Sequence, residues 1–255
     1  MGSGFYAAFS GLAAKTQELD LLASNLANVS TNGYKGQLPF YTALEASTHA
    51  ARLGPLNRAI NDFGILGGAA IDLSNGSIEK TGNDLDVALE GSGFLAVQTP
   101  AGVRYTRNGS LKVGVNGELE TQNGDLVLGQ QSLQQPAGVP PVPIQVPSGE
   151  VSISTDGTIS HEGTVVDRLR IADFAPGTQL AAEGNSYYSA PPGSEQPAAD
   201  PRLQQGAVEA SNLNAVEGTV SLIELQRSTE LMQNALTIFH NDFNQAAAQT
   251  LPSIT

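Results

Sequence analysis

The sequence predicts an α+β protein in which N- and C-terminal helices, discontinuous in the chain, form a coiled-coil layer flanking an antiparallel β-rich domain. Three observations predict it. Between Phe5 and Leu26, apolar or small residues recur in alternating steps of four and three, the spacing of one helical stripe that keeps facing a partner. Between Leu222 and Ala246 the same stepping returns. Between these ends, from about Gly82 to Tyr188, the period shortens to two and turn-forming pairs recur at short spacing.

The first stripe is Phe5, Phe9, Leu12, Thr16, Leu19, Ala23 and Leu26. It predicts one helix from Gly4 to about Ser30, with Ser3 as N-cap. The run from Asn28 to Gly33 ends it, because short polar side chains compete for the backbone and Asn32-Gly33 tolerates positive φ. Phe40 to Arg52 is rich in Ala, Leu and Glu and favours helix until Gly54-Pro55. Ile60 to Gly76, with Gly64, Gly67 and Gly68, reads as extended or irregular with short strands.

In the β region, Leu85, Val87 and Leu89 alternate with Asp86, Ala88 and Glu90. Phe94–Thr99 and Val103–Thr106 flank Pro100-Ala101-Gly102, a hairpin signal. Asn108-Gly109, Asn116-Gly117, Asn123-Gly124 and Asp156-Gly157 supply further turn pairs. Gln135 to Pro147 holds five prolines and reads as a connector or edge segment. Pro191 to Pro201 reads as an exposed linker. The second helix, Ala215 to about Gln249, carries Leu222, Leu225, Thr229, Met232, Leu236, Phe239, Phe243 and Ala246 as its stripe, with Glu224, Arg227 and Glu230 at helical neighbour spacing. The expected domains are 1–35 with 206–255 (helical), 36–80 (connecting) and 81–205 (β-rich, with a Pro-rich linker near 191–201).

Neither helix can bury its stripe alone. Two outcomes stay open on pattern: an intramolecular helical hairpin that closes one globule, or a helical layer completed only in an assembly.

Composition supports strands and turns over a large α/β core. Of 255 residues, 40% are hydrophobic and only 15% charged, while Gly numbers 28 and Pro 14. The net charge of −13 argues against nucleic acid, which needs clustered Lys and Arg. Cysteine is absent, which excludes disulfides, thiolate chemistry and Cys-based zinc sites. No stretch is apolar and long enough to span a membrane, and the first residues lack the basic start of a cleavable signal peptide.

Catalytic signals are weak. His49, His161 and His240 lie apart, without a partner at metal-ligand spacing. Asp84 and Asp86 flank Leu85 and resemble a carboxylate pair for acid–base work, but a turn Asp followed by a strand-edge Asp explains them better. Asn123-Gly124-Asp125 and Ser154–Gly157 have too few oxygens for a calcium loop. Gly91-Ser92-Gly93 precedes a strand, not a helix, so it is neither a phosphate cradle nor a nucleophile elbow. No catalytic residue, cofactor or metal site is expected.

Four blocks carry a resemblance. SNLANVSTNGYK (Ser24–Lys35) resembles the N-terminal signature of bacterial flagellar rod and hook axial proteins, typically an Asn-Leu-Ala-Asn core followed by Thr-x-Gly-aromatic and a basic residue. Thr81–Gln98 resembles that family's entry into its β domain, Tyr105–Gly129 its Tyr-Thr-Arg-Asn-Gly block, and Gly206–Leu236 its C-terminal helix. The blocks span most of the chain in the family's order. The short Gly36–Lys80 segment and the opening SGFYAAFSGL look more like proximal-rod than distal-rod members, and the hook protein usually has a further outer domain. Leu111, where the family often has Phe, and Arg227–Glu230, where an aromatic before Glu is common, depart from the pattern.

The resemblance implies a structural, non-enzymatic subunit of the flagellar basal-body rod, in the periplasm-spanning part of the flagellum, which transmits torque from motor to hook. It implies export through the flagellar type III apparatus without a cleaved signal, and helical assembly with other copies and other rod proteins. The implied inner seam is Phe5, Phe9, Leu12, Leu19 and Leu26 with Leu222, Leu225, Met232, Leu236, Phe239 and Phe243. Asn25, Leu26, Ala27, Asn28, Gly33 and Tyr34 form the motif where the chain turns out of the inner layer, with the Asn25 and Asn28 amides available to backbone or a neighbouring subunit. Two readings of other classes remain beside it: an enzyme acting on cell-wall polymer through Asp84 and Asp86, and a secreted adhesin-like β module.

Overall fold

A computed structural model describes residues 2–42, 65–134, 142–147 and 149–250. The expected helix over Phe40–Arg52, the Gly54-Pro55 break and His49 lie outside them, apart from Phe40–Thr42. Those three residues are strand, the end of Gln37–Thr42. Phe40 and Tyr41 there are aromatics that suit a pleated surface better than a helix start.

The chain forms two compact units. The first draws on Met1–Ala27, Gln37–Ala70 and Asn214–Thr255. Its helices are α1 (Gly2–Ala27) and α2 (Ala215–Thr250), which pack on each other, and α1 also packs on strand Gln37–Thr42. That strand pairs with Ile65–Ile71. α1 stops at Ala27, three residues short of the expected Ser30. Asn28 takes over there, its carbonyl accepting from Thr31 N at 3.0 Å in a turn. Asn214 caps α2: its Oδ1 accepts from Val216 N at 3.0 Å and Glu217 N at 3.4 Å, and Glu217 places an acid in the first turn.

The second unit, Asn28–Gly36 with Ile71–Leu213, is antiparallel β throughout its described pairings. Strand Phe94–Thr99 is its centre, pairing with Gly102–Thr106, Leu126–Val127 and Ile171–Phe174. Its alternate side chains reach two cores. Leu95 and Val97 pack with Val87, Leu89, Leu119, Ile159 and Leu203, while Phe94 and Ala96 pack with Tyr105, Ala172 and Tyr188. A three-stranded meander, Val151–Ile153, Thr158–His161 and Thr164–Arg168, stands beside it, with a bulge between Ile159 and Ser160.

The expected Pro100-Ala101 hairpin forms, with Thr99 opposite Gly102. Asn116-Gly117, Asn123-Gly124 and Asp156-Gly157 also turn between paired strands, each Gly at positive φ. Asn108-Gly109 does not. Its flanking strands pair elsewhere, Gly109 O accepts from Val87 N at 2.9 Å, and a Cβ on Gly109 would collide with the Val87 carbonyl. That glycine serves a close backbone approach. The expected alternation at residues 85–90 also fails: the strand starts at Val87, and Ala88 is as buried as Val87 and Leu89 because both faces are covered.

The Pro-rich segment near Gln135–Pro147 is an edge where described, its Pro143 and Gln145 bridging Leu128 and Glu118. Pro191–Pro201 is not a free linker. Glu195–Pro197 is a strand paired with Ala172–Phe174, and Glu195 takes Arg170 Nε at 2.8 Å and Tyr105 Oη at 2.8 Å. Residues before α2 are strands as well: Arg202–Gln205 pairs with Val87–Glu90 and Ala207–Glu209 with Ile78–Lys80.

Candidate functional site

The residues of the expected seam differ in burial. On α2, Leu225 and Thr229 are buried and Leu222, Met232 and Leu236 half-buried, all on one helical face. On α1, Leu12, Leu19 and Leu26 are half-buried, and Leu26 Cδ1 lies near Gly218 in the first turns of α2. Thr16 and Ala23, stripe positions by spacing, are exposed, and Phe9 is 52% exposed. Ala14 is buried instead. The side chains of Phe5, Phe239 and Phe243 lie outside the described ones.

α2 carries a second apolar stripe that the stepping argument missed. Val216, Val220, Ile223, Leu231 and Ile238 share the helical face opposite Leu225, and Arg227 lies among them. Val216 is 73%, Leu231 70% and Ile238 61% exposed. Stepping from Val216 by four, three, four, four, three and four residues traces it, but Arg227 and Asn234 interrupt it and mask the pattern.

The motif residues are mostly buried. Asn25 is buried and clasps Gln37, its Nδ2 donating to Gln37 O at 2.8 Å and its Oδ1 accepting from Gln37 N at 3.0 Å. Ala27 is exposed, Leu26 and Asn28 half-buried, Gly33 and Tyr34 buried. Asn28 Oδ1 meets Thr31 Oγ1 at 3.4 Å. Gly33 has φ of 66°, and a Cβ there would collide with the backbone of Arg107 and Asn108.

Beside Gly33 lies a buried ionic node absent from the sequence expectations. The Glu209 carboxylate takes Lys35 Nζ at 2.6 Å on Oε1 and Arg107 Nη1 at 3.1 Å on Oε2. Oε1 also accepts from Gly76 N at 2.8 Å. Lys35 Nζ donates to Ser74 O at 2.6 Å, and Arg107 Nη2 to Gly91 O at 2.6 Å. The Arg107 guanidinium sits 5.1 Å from the centre of the Phe94 ring. Burial pushes the pKa of both cations down, against the pull of Glu209. The node joins the basic residue ending the first family block, the Arg of the Tyr-Thr-Arg-Asn-Gly block and the Glu opening the last. Their shared place in three motif blocks was the available signal.

Catalytic geometry is weak where the carboxylates stand. Asp86 is buried in a turn, accepting from Asn83 Nδ2 at 3.0 Å, while Asp84 is exposed. A cleft of about 420 Å3 runs past Asp84, and Asp84 is the one ionisable group among the residues lining it. One carboxylate cannot supply a paired acid and base. Among the described residues no cluster of His, Asp and Glu could hold a metal ion, and no helix is long and apolar enough to cross a membrane.

Three family models match in chain order. "Flagella basal body rod protein" covers residues 5–35, "Flagellar hook protein FlgE/F/G D1 domain" residues 88–165, and "Flagellar basal body rod FlgEFG protein C-terminal" residues 204–249. The chain is 32% identical to flagellar basal-body rod protein FlgF of Caulobacter vibrioides, over 90% of each chain. It is 31% identical to FlgF of Salmonella typhimurium, over 98% of this chain and 99% of the relative. It is 30% identical to rod protein FlgG of Buchnera aphidicola subsp. Acyrthosiphon pisum, over 89% and 92%. With its Asn-Leu-Ala-Asn helix end, the first half of its β body and nearly all of its second helix inside matched regions, and with relatives 30% or more identical over most of its length, the chain belongs to the flagellar basal-body rod protein family.

Proposed function

We propose that this chain is a structural subunit of the flagellar basal-body rod, of the proximal-rod kind, that assembles helically through its terminal helices and carries torque from motor to hook. Its partners are other copies and other rod proteins, and it reaches the rod through the flagellar type III export apparatus without a cleaved signal. α1 and α2 form the coiled-coil layer of the assembly, and the antiparallel β unit is the body each subunit brings to it. No step of this role is catalytic.

The observation that carries this reading is the outward stripe of α2. A helix with one apolar face buried and the opposite face also apolar is built for contacts on two sides. Two of its exposed leucine-sized side chains alone, once covered, would each contribute about 1.5–3 kcal/mol. A head-to-tail arrangement extends such contacts without closing into a ring. In this arrangement the expected seam, Leu222, Leu225, Met232 and Leu236, faces α1, and the stripe from Val216 to Ile238 meets the neighbouring subunits.

The test is a Leu231→Glu, Ile238→Glu double variant, expressed in place of the native chain. Both positions are exposed, so the purified monomer should melt within a few degrees of the native one. Rods containing it should fail to form and swimming should be lost. Full swimming with normal basal bodies would overturn the reading.

A further inference from the structure

Residues 28–36 follow α1 and carry no strand, yet Gly33, Tyr34, Lys35 and Gly36 are buried. Gly33, Lys35 and Gly36 are held by groups far away in sequence. Gly33 N donates to Glu209 O at 2.6 Å, and Lys35 N to Tyr188 Oη at 2.9 Å. Gly36 N donates to Asn212 Oδ1 at 2.8 Å, while the Asn212 amide donates to Asp72 O and Ser74 O at 3.0 and 3.2 Å. Lys35 Nζ completes the set through Glu209 and Ser74.

The charges make this arrangement conditional. Arg107 and Glu209 alone are a balanced buried pair. Lys35 adds one positive charge to a site closed to solvent, which is favourable only when Glu209 Oε1 and Ser74 O are both in position to receive it. Conversely, Glu209 holds Gly76 N and Gly33 N only from its place on strand Ala207–Glu209. The partners 35 and 209 close a very long loop, so neither segment gains much until the other arrives.

We infer that the Lys35–Glu209–Arg107 node is a latch, by which residues 28–36, leading out of α1, and residues 207–212, leading into α2, become ordered together or not at all. The inference concerns the isolated chain and stands apart from rod assembly, so either can fail without the other.

Hydrogen exchange followed by mass spectrometry on the purified full-length chain tests it. In Glu209→Gln, amides of residues 28–36 and of 72–76 should exchange about tenfold to a hundredfold faster, while Phe94–Thr99 and Gly102–Thr106 keep their native rates. Lys35→Met leaves the Arg107–Glu209 pair balanced and so should leave the variant folded. It should nonetheless speed exchange in both 28–36 and 207–212 by similar factors. Native rates at 28–36 in Glu209→Gln would overturn the latch. So would Lys35→Met loosening 28–36 while 207–212 stays native, and this second variant decides the matter alone if Glu209→Gln does not fold.

Discussion

Asn25 and Gln37 hold each other by two hydrogen bonds, the buried side-chain amide of Asn25 giving and taking the bonds that a β partner would give and take from the Gln37 backbone. The motif asparagine therefore ties the last turns of α1 to strand Gln37–Thr42 within one unit. Asn25→Asp keeps the shape, removes the donor and sets a carboxylate oxygen against the Gln37 carbonyl. It should destabilise the helical unit by about 1–3 kcal/mol, and Asn25→Ala by a similar amount. Denaturation followed by helical circular dichroism reads this; an unchanged midpoint for both variants would show the clasp to be dispensable.

Gly33 and Gly124 both have positive φ, 66° and 88°, but differ in surroundings. A Cβ on Gly124 meets nothing within 4 Å, whereas on Gly33 it strikes the backbone of Arg107 and Asn108. Gly124→Ala should cost only the conformational strain, about 1 kcal/mol. Gly33→Ala should cost several times that, because backbone cannot swing aside as a side chain can. Equal melting shifts for the two would contradict the packing.

The contrast explains what the sequence disclosed. Periodicity announced both helices and the hairpins, because each follows from residues close together in the chain. Asn32-Gly33 was legible as a turn for the same reason. The collision that makes Gly33 obligatory, and the node of Lys35, Arg107 and Glu209, involve residues up to 174 positions apart, and no local pattern encodes them. Glu195 shows the converse error: proline and alanine around it signal an exposed linker, but Arg170 and Tyr105 give it a tertiary role that outweighs composition. The outward stripe of α2 was hidden because the inward one, with fewer polar interruptions, dominated the period.

Alkaline pH should weaken the β unit in two opposing steps. Burial pushes the Tyr188 hydroxyl up to about 12, with the bond from Lys35 N opposing. A folded-state value above the ordinary 10.0 means stability that is full below pH 10.0 and lost as pH rises toward about 12. Lys35 runs the other way: burial lowers its value, so its charging penalty is relieved as pH climbs toward the ordinary 10.5. Tyr187, raised by burial and by Asp125, adds to the loss. The net fall should therefore steepen above about pH 10.5, and Tyr188 alone accounts for about 2–3 kcal/mol of it. In Tyr188→Phe the fall should shrink, and stability at neutral pH should drop by about 1 kcal/mol as Lys35 N loses its acceptor. Urea midpoints between pH 8 and 12 check both.

Glu195 makes a separate, spectroscopic prediction. It accepts from both arms of Arg170, at 2.8 and 2.5 Å, and from Tyr105 Oη at 2.8 Å. Burial raises the Tyr105 pKa, and the Glu195 carboxylate raises it further. Glu195→Gln should bring the Tyr105 ionisation down and loosen the edge strand Glu195–Pro197 by about 1–2 kcal/mol, since the site is partly exposed and screened. Tyrosinate absorbance against pH shows the first, and a Tyr105 titration unchanged by the variant would exclude the carboxylate as a cause.

Leu225 and Leu231 lie on opposite faces of α2 and should separate folding from assembly. Leu225 is 7% exposed, so Leu225→Ala opens a cavity in the helical unit and should cost the monomer about 2–4 kcal/mol. Leu231 is 70% exposed, so Leu231→Ala should change monomer stability by no more than about 0.5 kcal/mol. In the assembled state the order is different. In the proposed assembly Leu231 gains cover from a neighbour, so its truncation should weaken every repeated contact along the rod, while the loss at Leu225 stays internal to each subunit. Leu231→Ala should therefore reduce the recovery of intact rods and the swimming rate in a population whose purified chain melts normally. If rods with Leu231→Ala were as abundant and as durable as native ones, the outward stripe would be no part of the interface.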